Sequence, residues 1–170
     1  HWLGKTTSCW SQVRSMSFPG RDRPQRPSLP GMERTLVICK PDAVERGLVG
    51  EIIGRFECKG LRILAAEVLH LDLEILGRHY AEHVDRPFYD DLVAFMSRSP
   101  AVLLVVGGPE GTVAMVRSLM GATDPGQAAP GTIRGDFGLE VTENLVHGSD
   151  GTGSAEREIA VFFPALASAG

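Results

Sequence analysis

Short apolar segments rich in β-branched residues alternate with segments of helical spacing from residue 33 onward, and this alternation restricts the fold more than any other feature of the sequence. Residues 34–39 (RTLVIC) predict a strand that stops before Pro41. Residues 101–106 (AVLLVV) are apolar without interruption, which is typical of a buried strand. Residues 44–59 carry apolar side chains at helical intervals and end at Gly60, a predicted C-cap. Strands and helices in alternation predict an α/β sandwich.

The complete pattern predicts four strands and five helical segments in one domain. The expected strands are 34–39, 61–69, 101–106 and 144–147, and the expected helices are 44–59, 73–82 with Asp72 as cap, 86–96, 112–120 and 154–163 with Ser154 as cap. This order fits a ferredoxin-like βαββαβ sandwich of class α/β (α+β), a four-stranded, largely antiparallel sheet with helices packed on one face. Residues 121–137 are predicted as a long loop, and loops of that length in a compact domain are usually functional.

Charge is distributed unevenly along the 170 residues. Residues 1–31 hold five basic residues and one acid, whereas residues 32–170 hold 12 basic and 20 acidic residues. An acidic body repels nucleic acid in bulk, so nucleic acid is not an expected partner, and local cations must hold any polyanion that binds. No apolar run reaches the ~18 residues of a membrane-spanning helix, and the three cysteines lack CxxC spacing. A membrane, a zinc site and a disulfide framework are therefore not expected.

Residues 1–31 are rich in Ser, Arg, Gly and Pro and show no apolar period, which predicts a disordered basic leader ahead of a domain over 32–170. The scarcity of acids fits an organellar transit peptide. The alternative is an upstream stretch from a misplaced start, with Met32 as the natural first residue. We favour the second interpretation and therefore expect a cytoplasmic location.

His147 is the histidine whose surroundings differ from those of the others. It ends a short apolar stretch in the run NLVHGSD (144–150), downstream of the arginine in PGTIRGDF (130–137). A strand-end histidine is most often structural, but an imidazole near arginines is also what phosphoryl transfer through a phosphohistidine needs. His79 and His83 are four residues apart on a predicted helix, a spacing that fits a metal. Because no third ligand is evident in the sequence, we interpret this pair as a solvated helix face.

Three cations are candidate phosphate ligands: Lys40 at the end of the first predicted strand, and Arg117 and Arg134 on either side of the long loop. Glu158 follows His147 by eleven residues, and a carboxylate on one ring nitrogen would leave the other free to attack. Spacing alone favours ordinary surface charges for all four residues.

Two further segments are candidates for nucleotide binding. The run GSDGTGS (148–154) lacks both the lysine of a Walker A loop and the GxGxxG pattern. The run RPFY (86–89) places aromatic side chains before a helix, where they could stack on a base or pack in the core.

Five separated motifs occur in order and together resemble the nucleoside diphosphate kinase family. They are KPD (40–42), RPFY (86–89), PGTIRGD (130–136), NLVHGSD (144–150) and SAEREI (154–159). The resemblance runs from residue 33 to about residue 164, nearly the whole predicted domain. The end of the chain after FFP (162–164) is similar to the short bacterial form of the family.

The resemblance implies a ping-pong transfer of the terminal phosphoryl group from a nucleoside triphosphate such as ATP to nucleoside diphosphates. His147 would be the phosphorylated nucleophile, Glu158 would hold its other ring nitrogen, and Ser149 would support the site. The residues that match the family's nucleotide-binding positions are Lys40, Tyr80, Phe88, Leu92, Arg117, Thr123, Arg134 and Asn144. Phe88 would stack on the base. Mg²⁺ would be held mainly by the nucleotide phosphates, with no dedicated protein ligand, and the chain would assemble as a tetramer or hexamer.

The sequence departs from the family pattern at several turns, but no departure removes a matched residue. The segment Gly151-Thr152-Gly153 loosens the turn beside Ser149. A catalytically silent nucleotide-binding module of the same fold is the second hypothesis, and nucleic-acid binding through the leader is the third. The complete set of matched residues favours the enzyme. We further expect a positive cleft in a negative protein.

Overall fold

The computed structural model describes residues 31–81 and 84–167. The predicted leader up to residue 30, as well as His83, lies outside the described residues. The strands are β1 Glu33–Cys39, β2 Arg62–Leu69, β3 Ala101–Gly108 and β4 Val146–Gly148. The helices are α1 Pro41–Glu45, α2 Val49–Cys58, α3 Leu73–His79, α4 Tyr89–Ser97, α5 Thr112–Met120, α6 Ile133–Phe137, α7 Thr152–Phe162 and α8 Pro164–Ala167, with a 3₁₀ turn at Pro125–Gln127. None of these helices is both long and apolar enough to span a membrane.

The four strands form one sheet in the order β2-β3-β1-β4, and every neighbouring pair is antiparallel. β3 lies between β1 and β2, which is the split βαβ arrangement of a ferredoxin-like fold. In the register of the sheet, Ile38 lies opposite both Leu103 on β3 and His147 on β4. The central strand β1 therefore supports the strand that carries His147. The predicted fold class is confirmed.

Helices cover both faces of the sheet, so the expectation that they pack on one face is wrong. Val37 on β1 packs against α2 and α5, where Phe56 and Val116 are fully buried. Leu36, its neighbour, packs with α3 and α7 in a separate core that contains Leu76 and Ile159. Successive strand residues point to opposite faces. The last four residues of β1 and the first six of β3 are all apolar and buried, so both faces need a cover.

Several of the predicted element boundaries are also wrong. Helix α3 ends at His79 instead of residue 82, α4 begins at Tyr89 instead of residue 86, and β4 begins at Val146 instead of residue 144. The segment 44–59 is two helices, α1 and α2, separated by Gly47 in the left-handed region at φ +67°. The loop over 121–137 contains the 3₁₀ turn and α6. Ser154 lies inside α7, which begins at Thr152, and its hydroxyl accepts a hydrogen bond from the Gly151 N–H. By contrast, Asp72 caps α3 as predicted by accepting from Ile75 N, and Gly60 follows α2 at φ +90°.

Gly135 in α6 leaves no space for a side chain. A Cβ at this position would lie 2.1 Å from the backbone oxygen of Ala129. We expect Gly135→Ala to lower the free energy of unfolding by about 1–3 kcal/mol because the backbone has to shift. Gly54 in α2 is the matched control: a Cβ there has no neighbour within 4 Å, so Gly54→Ala should stabilise by about 0.5–1 kcal/mol. Denaturant unfolding at equal protein concentration measures both changes, and shifts of the same sign would contradict this packing.

Candidate active site

A cleft of about 1230 Å³ collects side chains from the ends of β1 and β4 and from five helices. Ten of the eleven predicted site residues line it: Lys40, Tyr80, Phe88, Leu92, Arg117, Thr123, Arg134, Asn144, His147 and Glu158. Ser149, the eleventh, is buried and contacts Glu158 instead. Residues far apart in the sequence are thus brought to one place.

The cleft lining carries an excess of positive charge. Its cationic residues are Lys40, Arg78, Arg98, Arg117, Arg134 and Arg157, and its acidic residues are Asp91, Glu143, Asp150 and Glu158. The chain as a whole has a formal net charge of −4. The expected positive cleft in a negative protein is therefore present, and it favours an anionic ligand.

His147 is held at one ring nitrogen by a carboxylate. Its Nε2 lies 3.2 Å and 3.3 Å from the two carboxylate oxygens of Glu158, which projects from α7. The two side chains are 25% and 18% exposed, so both are reachable from the cleft without being fully solvated. An ionised carboxylate at Nε2 favours the tautomer with its proton on Nε2, which places the lone pair on Nδ1.

Glu158 is itself fixed by Ser149. The Ser149 hydroxyl donates to Oε2 of Glu158 at 2.6 Å and accepts from the backbone N–H of Leu36 at 3.3 Å. Burial opposes ionisation of the carboxyl, but the hydrogen bonds from His147 and Ser149 outweigh burial and lower the pKa of Glu158. An ionised Glu158 can stabilise positive charge that develops on the imidazole.

His79 does not lie on a solvated helix face, so that interpretation is wrong. Its ring contacts the ring of His147 edge-on, with 4.9 Å between centroids, and it also packs against Tyr80 and Phe162. Burial, with the charge of Glu158 as a lesser cause, raises the pKa of the neighbouring Tyr80, which therefore stays protonated at neutral pH. α3 ends at His79, and the spacing of residues in the sequence cannot show that this end of the helix lies against β4.

Lys40 and Asn144 form a buried polar pair on one wall of the cleft. The Lys40 ammonium donates to Oδ1 of Asn144 at 2.7 Å, and Nδ2 of Asn144 donates to the Thr123 carbonyl at 2.9 Å. Burial lowers the pKa of Lys40 to about 8; Asp42 opposes the shift and Arg134 adds to it. The ammonium is thus held in place and is partly desolvated before any ligand arrives.

Leu145 is the only residue other than glycine with a positive φ in the described part of the chain, at 70°. Its N–H donates to the buried carboxylate of Asp42 at 3.0 Å, and its carbonyl accepts from the Lys40 N–H at 2.9 Å. Such a conformation costs on the order of 1–3 kcal/mol and persists only where the surroundings hold it. The KPD motif supplies that support, because Lys40 and Asp42 are the partners of Leu145. Leu145 lies two residues before His147, and this role of the motif was not predicted from the sequence.

Arg134 is buried, at 7% exposure, and is oriented by neutral acceptors. Its Nε donates to the Asn144 carbonyl at 3.2 Å, Nη1 to the Gly121 carbonyl at 2.8 Å and Nη2 to the Val146 carbonyl at 2.7 Å. Burial, and next the charge of Arg117, lower the pKa of Arg134 to about 10. The guanidinium stays protonated at neutral pH, and its carbonyl partners leave its charge available to an anion.

Phe88 is 51% exposed at the mouth of the cleft, so packing in the core, one of the two roles considered for it, is excluded. A second feature of this wall escaped the sequence analysis. Arg98, at the C-terminal end of α4, binds Glu45 at 2.7 Å and Glu143 at 2.5 Å and lies over the Phe95 ring at 4.8 Å. It links α1 and α4 to the segment that precedes Asn144.

A ferredoxin-like sandwich with an imidazole–carboxylate pair in a cationic cleft defines a class of phosphoryl-transfer enzymes that act on anionic substrates. The family model "Nucleoside diphosphate kinase" matches residues 33–167. The chain belongs to the nucleoside diphosphate kinase family and catalyses phosphoryl transfer between nucleotides.

Individual relatives agree with the family model. The nucleoside diphosphate kinase of Thermobifida fusca is 58% identical over 136 residues, covering 80% of this chain and 100% of the relative. A solved structure of the halophilic enzyme from Halobacterium salinarum in complex with CDP is 50% identical, with a TM-score of 0.74, and the match covers 77% of this chain and 87% of that one. A nucleoside diphosphate kinase family protein from Babesia bovis gives a TM-score of 0.76 at 45% identity, covering 79% and 90%.

Proposed function

We propose that Nδ1 of His147 is the nucleophile that accepts the terminal phosphoryl group. Its lone pair forms the nitrogen–phosphorus bond while the bond from phosphorus to the bridging oxygen breaks, and the nucleoside diphosphate leaves. A second diphosphate then attacks the phosphohistidine and restores the imidazole. The observation that carries this proposal is the 3.2 Å contact between Nε2 and Glu158, because it assigns the proton to one nitrogen and the lone pair to the other.

The cations of the cleft would position the phosphates and neutralise their charge. Phosphoryl transfer depends mainly on such positioning. Arg134 and Lys40 are held rigidly, whereas Arg117 is exposed and can adjust to the substrate. Asn144 and Thr123 would bind the sugar or phosphates, and Tyr80 would lie close to the transferred group.

Phe88 and Leu92 would hold the nucleobase. Stacking on the exposed Phe88 ring reads only the face of a base, so we expect both purines and pyrimidines to be accepted; the Halobacterium salinarum relative was solved with CDP. The cationic lining offers few carboxylates for a hard cation, which fits Mg²⁺ carried by the nucleotide phosphates rather than by the protein. Mg²⁺ would supply charge neutralisation on the transferred group.

Self-association to a tetramer or hexamer is supported by the edge of the sheet. β2 is an edge strand, and Val68 and Leu64 on it are 68% and 36% exposed. Unpaired edges with apolar side chains favour pairing with another copy. Cytoplasmic location remains a prediction that rests on the sequence of residues 1–31.

The test is to incubate the protein with Mg²⁺ and ATP labelled on the terminal phosphate and to recover the protein without nucleotide. We expect about one acid-labile, alkali-stable phosphate per chain, located at His147 by peptide mapping and transferable to any added nucleoside diphosphate. Nucleotide binding without a phosphoenzyme would support the silent module instead.

The pKa of Lys40 predicts a pH dependence. Since the ammonium deprotonates near pH 8 in the free enzyme, kcat/KM for the nucleotide should fall as pH rises above about 8. A bound phosphate favours the ammonium, so kcat itself should fall only at higher pH. The unfolded chain keeps this proton up to about 10.5, so the same group makes the free energy of unfolding rise with pH between 8 and 10.5. Lys40→Met should lower kcat/KM and remove its decrease at high pH. A decrease of kcat/KM that persists in the variant would arise from another titrating group.

A further inference from the structure

Three potential metal ligands converge beside the proposed nucleophile. His79 on α3, His147 on β4 and Glu158 on α7 each offer one ligand atom, and all three atoms lie within 4.8 Å of one another. All three side chains are half-buried and line the cleft, and both ring nitrogens of His79 are buried, so the position is sheltered from bulk water. The ligands come from three separate elements packed against each other, which fixes their relative positions better than loops would.

The geometry is close to that of a coordination sphere. Ligands at bond lengths of about 2.0–2.2 Å around a tetrahedral ion are roughly 3.4 Å apart. Nε2 of His147 and Oε2 of Glu158 are already 3.2 Å apart. His79 would therefore need to approach by no more than roughly 1.5 Å, a movement that rotation of its side chain can supply.

The chemistry of this ligand set selects the kind of ion. Two imidazoles and one carboxylate, with a position left for water, form the typical set for a zinc ion, and imidazole also suits copper and nickel. Magnesium prefers oxygen ligands and retains its waters. The Mg²⁺ that accompanies the nucleotide would therefore not compete for this position.

We propose that His79, His147 and Glu158 form an inhibitory site for a divalent transition-metal ion, of which Zn²⁺ is the best match, and that occupation of this site blocks phosphorylation of His147. This inference rests on the proposed role of His147 and adds a means of regulation to the same site.

The block follows from the proton balance of the imidazole ring. The neutral ring has one proton and one lone pair on its two nitrogens. In the active tautomer the proton is on Nε2, directed at Glu158, and the lone pair on Nδ1 attacks phosphorus. A metal ion at Nε2 needs the lone pair there, so the proton moves to Nδ1 and no lone pair remains to form the bond to phosphorus. The metal and the phosphoryl group therefore exclude one another on His147.

This mechanism separates inhibition of chemistry from inhibition of binding. The nucleotide cations Arg134 and Lys40 are bound to other groups and are not among the metal ligands. Zn²⁺ should accordingly reduce kcat and phosphoenzyme formation while leaving the affinity for a nucleoside diphosphate nearly unchanged.

Direct binding provides the first test. Isothermal titration of the nucleotide-free protein with Zn²⁺, in buffer with excess Mg²⁺, should show one site per chain, and Co²⁺ should give the intense visible absorption of a tetrahedral complex. His79→Gln should weaken Zn²⁺ binding at least tenfold. The matched control is His70→Gln, which changes an exposed histidine outside the cleft and should leave the affinity unchanged. Circular dichroism verifies that both variants fold.

A second measurement uses the unmodified protein, so that it does not depend on the folding of a variant. In histidine ring NMR spectra, Zn²⁺ should shift the resonances of His79 and His147 and not those of His70. Shifts confined to other histidines, or equal Zn²⁺ affinity of wild type and His79→Gln, would overturn the proposed site.

Phosphoenzyme formation distinguishes this inference from the proposed function on which it rests. With Mg²⁺ alone, wild type and His79→Gln should both become phosphorylated. For each protein, this amount of phosphoenzyme is the reference for the measurement with Zn²⁺. At a free Zn²⁺ concentration fixed by a metal buffer, wild type should lose at least nine-tenths of its phosphoenzyme and His79→Gln much less. Failure of wild type with Mg²⁺ alone would refute the nucleophile, whereas phosphorylation that proceeds fully with Zn²⁺ bound would refute only the inhibitory site.

Discussion

Replacement of His147 by alanine is expected to reduce nucleotide exchange by at least about 10⁴-fold and to abolish the phosphoenzyme. Removal of a covalent nucleophile typically costs that much or more, because the remaining groups bind and orient the substrate but cannot form the intermediate. Nucleotide affinity should change little, since the cations and Phe88 are untouched. A coupled assay of exchange and a binding titration on the same preparation measure the two effects separately.

His70→Ala is the control for the loss of an imidazole elsewhere, because His70 is exposed at the end of β2 and does not line the cleft. It should retain full exchange activity. His147→Ala leaves the carboxylate of Glu158 without its ring partner, so thermal unfolding should be measured for both variants. A His147→Ala protein that exchanges phosphate at the wild-type rate would rule out the phosphohistidine mechanism.

The apolar runs of the sequence predicted the strands of the sheet, because the polarity of the side chains alone shows which segments can be buried. The six residues of AVLLVV contain no polar side chain, and β3 is buried over Ala101–Gly108 apart from its last residue. The same run also implied burial on both faces, which the expectation of a one-sided sandwich did not use. The expectation was wrong because it followed an assumed arrangement of helices on one face, although the apolar run itself indicated two covered faces.

Periodicity could not predict where the first helical segment breaks. Apolar residues recur at helical intervals across Gly47, so the pattern continues where the backbone does not. The break depends on a positive φ at Gly47, which follows the short helix α1 that begins directly after Lys40. Ser154 was likewise read as a cap, although helix α7 begins two residues earlier and uses its hydroxyl from within the first turn.

The candidate site was predicted through its motifs, and spacing alone would not have sufficed. A separation of eleven positions between His147 and Glu158 fits a solvated helix face as well as a contact, and only the packing of α7 on the sheet turns Glu158 inward. His79 reaches His147 by tertiary contact between α3 and α7, and the sequence carries no local signal of that contact. The support of Leu145 by Asp42 depends equally on long-range structure.

Arg134→Ala is expected to combine a loss of activity of roughly 10²–10³-fold with a measurable loss of stability. The activity falls because a fixed positive charge aimed at the transferred group is removed. Stability falls because the carbonyls of Gly121, Asn144 and Val146 lose a donor, and a buried acceptor without a partner costs about 1–3 kcal/mol where water cannot replace the donor. Steady-state kinetics and denaturant unfolding measure the two losses.

Arg134→Lys separates the two roles of this side chain. Lysine keeps the positive charge but has a single nitrogen, which cannot reach three carbonyls spread over the guanidinium plane. We expect its activity to lie between those of wild type and Arg134→Ala, while its stability should be close to that of the alanine variant.

Arg46→Ala is the matched control, since Arg46 also donates to a backbone carbonyl, that of Phe137 at 2.7 Å, but on the exposed surface and outside the cleft. Water can replace that donor. The activation free energy of the reaction and the free energy of unfolding should therefore each change by no more than about 0.5 kcal/mol. If Arg134→Ala lost stability but kept wild-type kcat, the guanidinium would serve only to brace the segment before His147. The neutral acceptors around it argue for the opposite result: a charge held by carbonyls alone is compensated only when an anion enters the cleft.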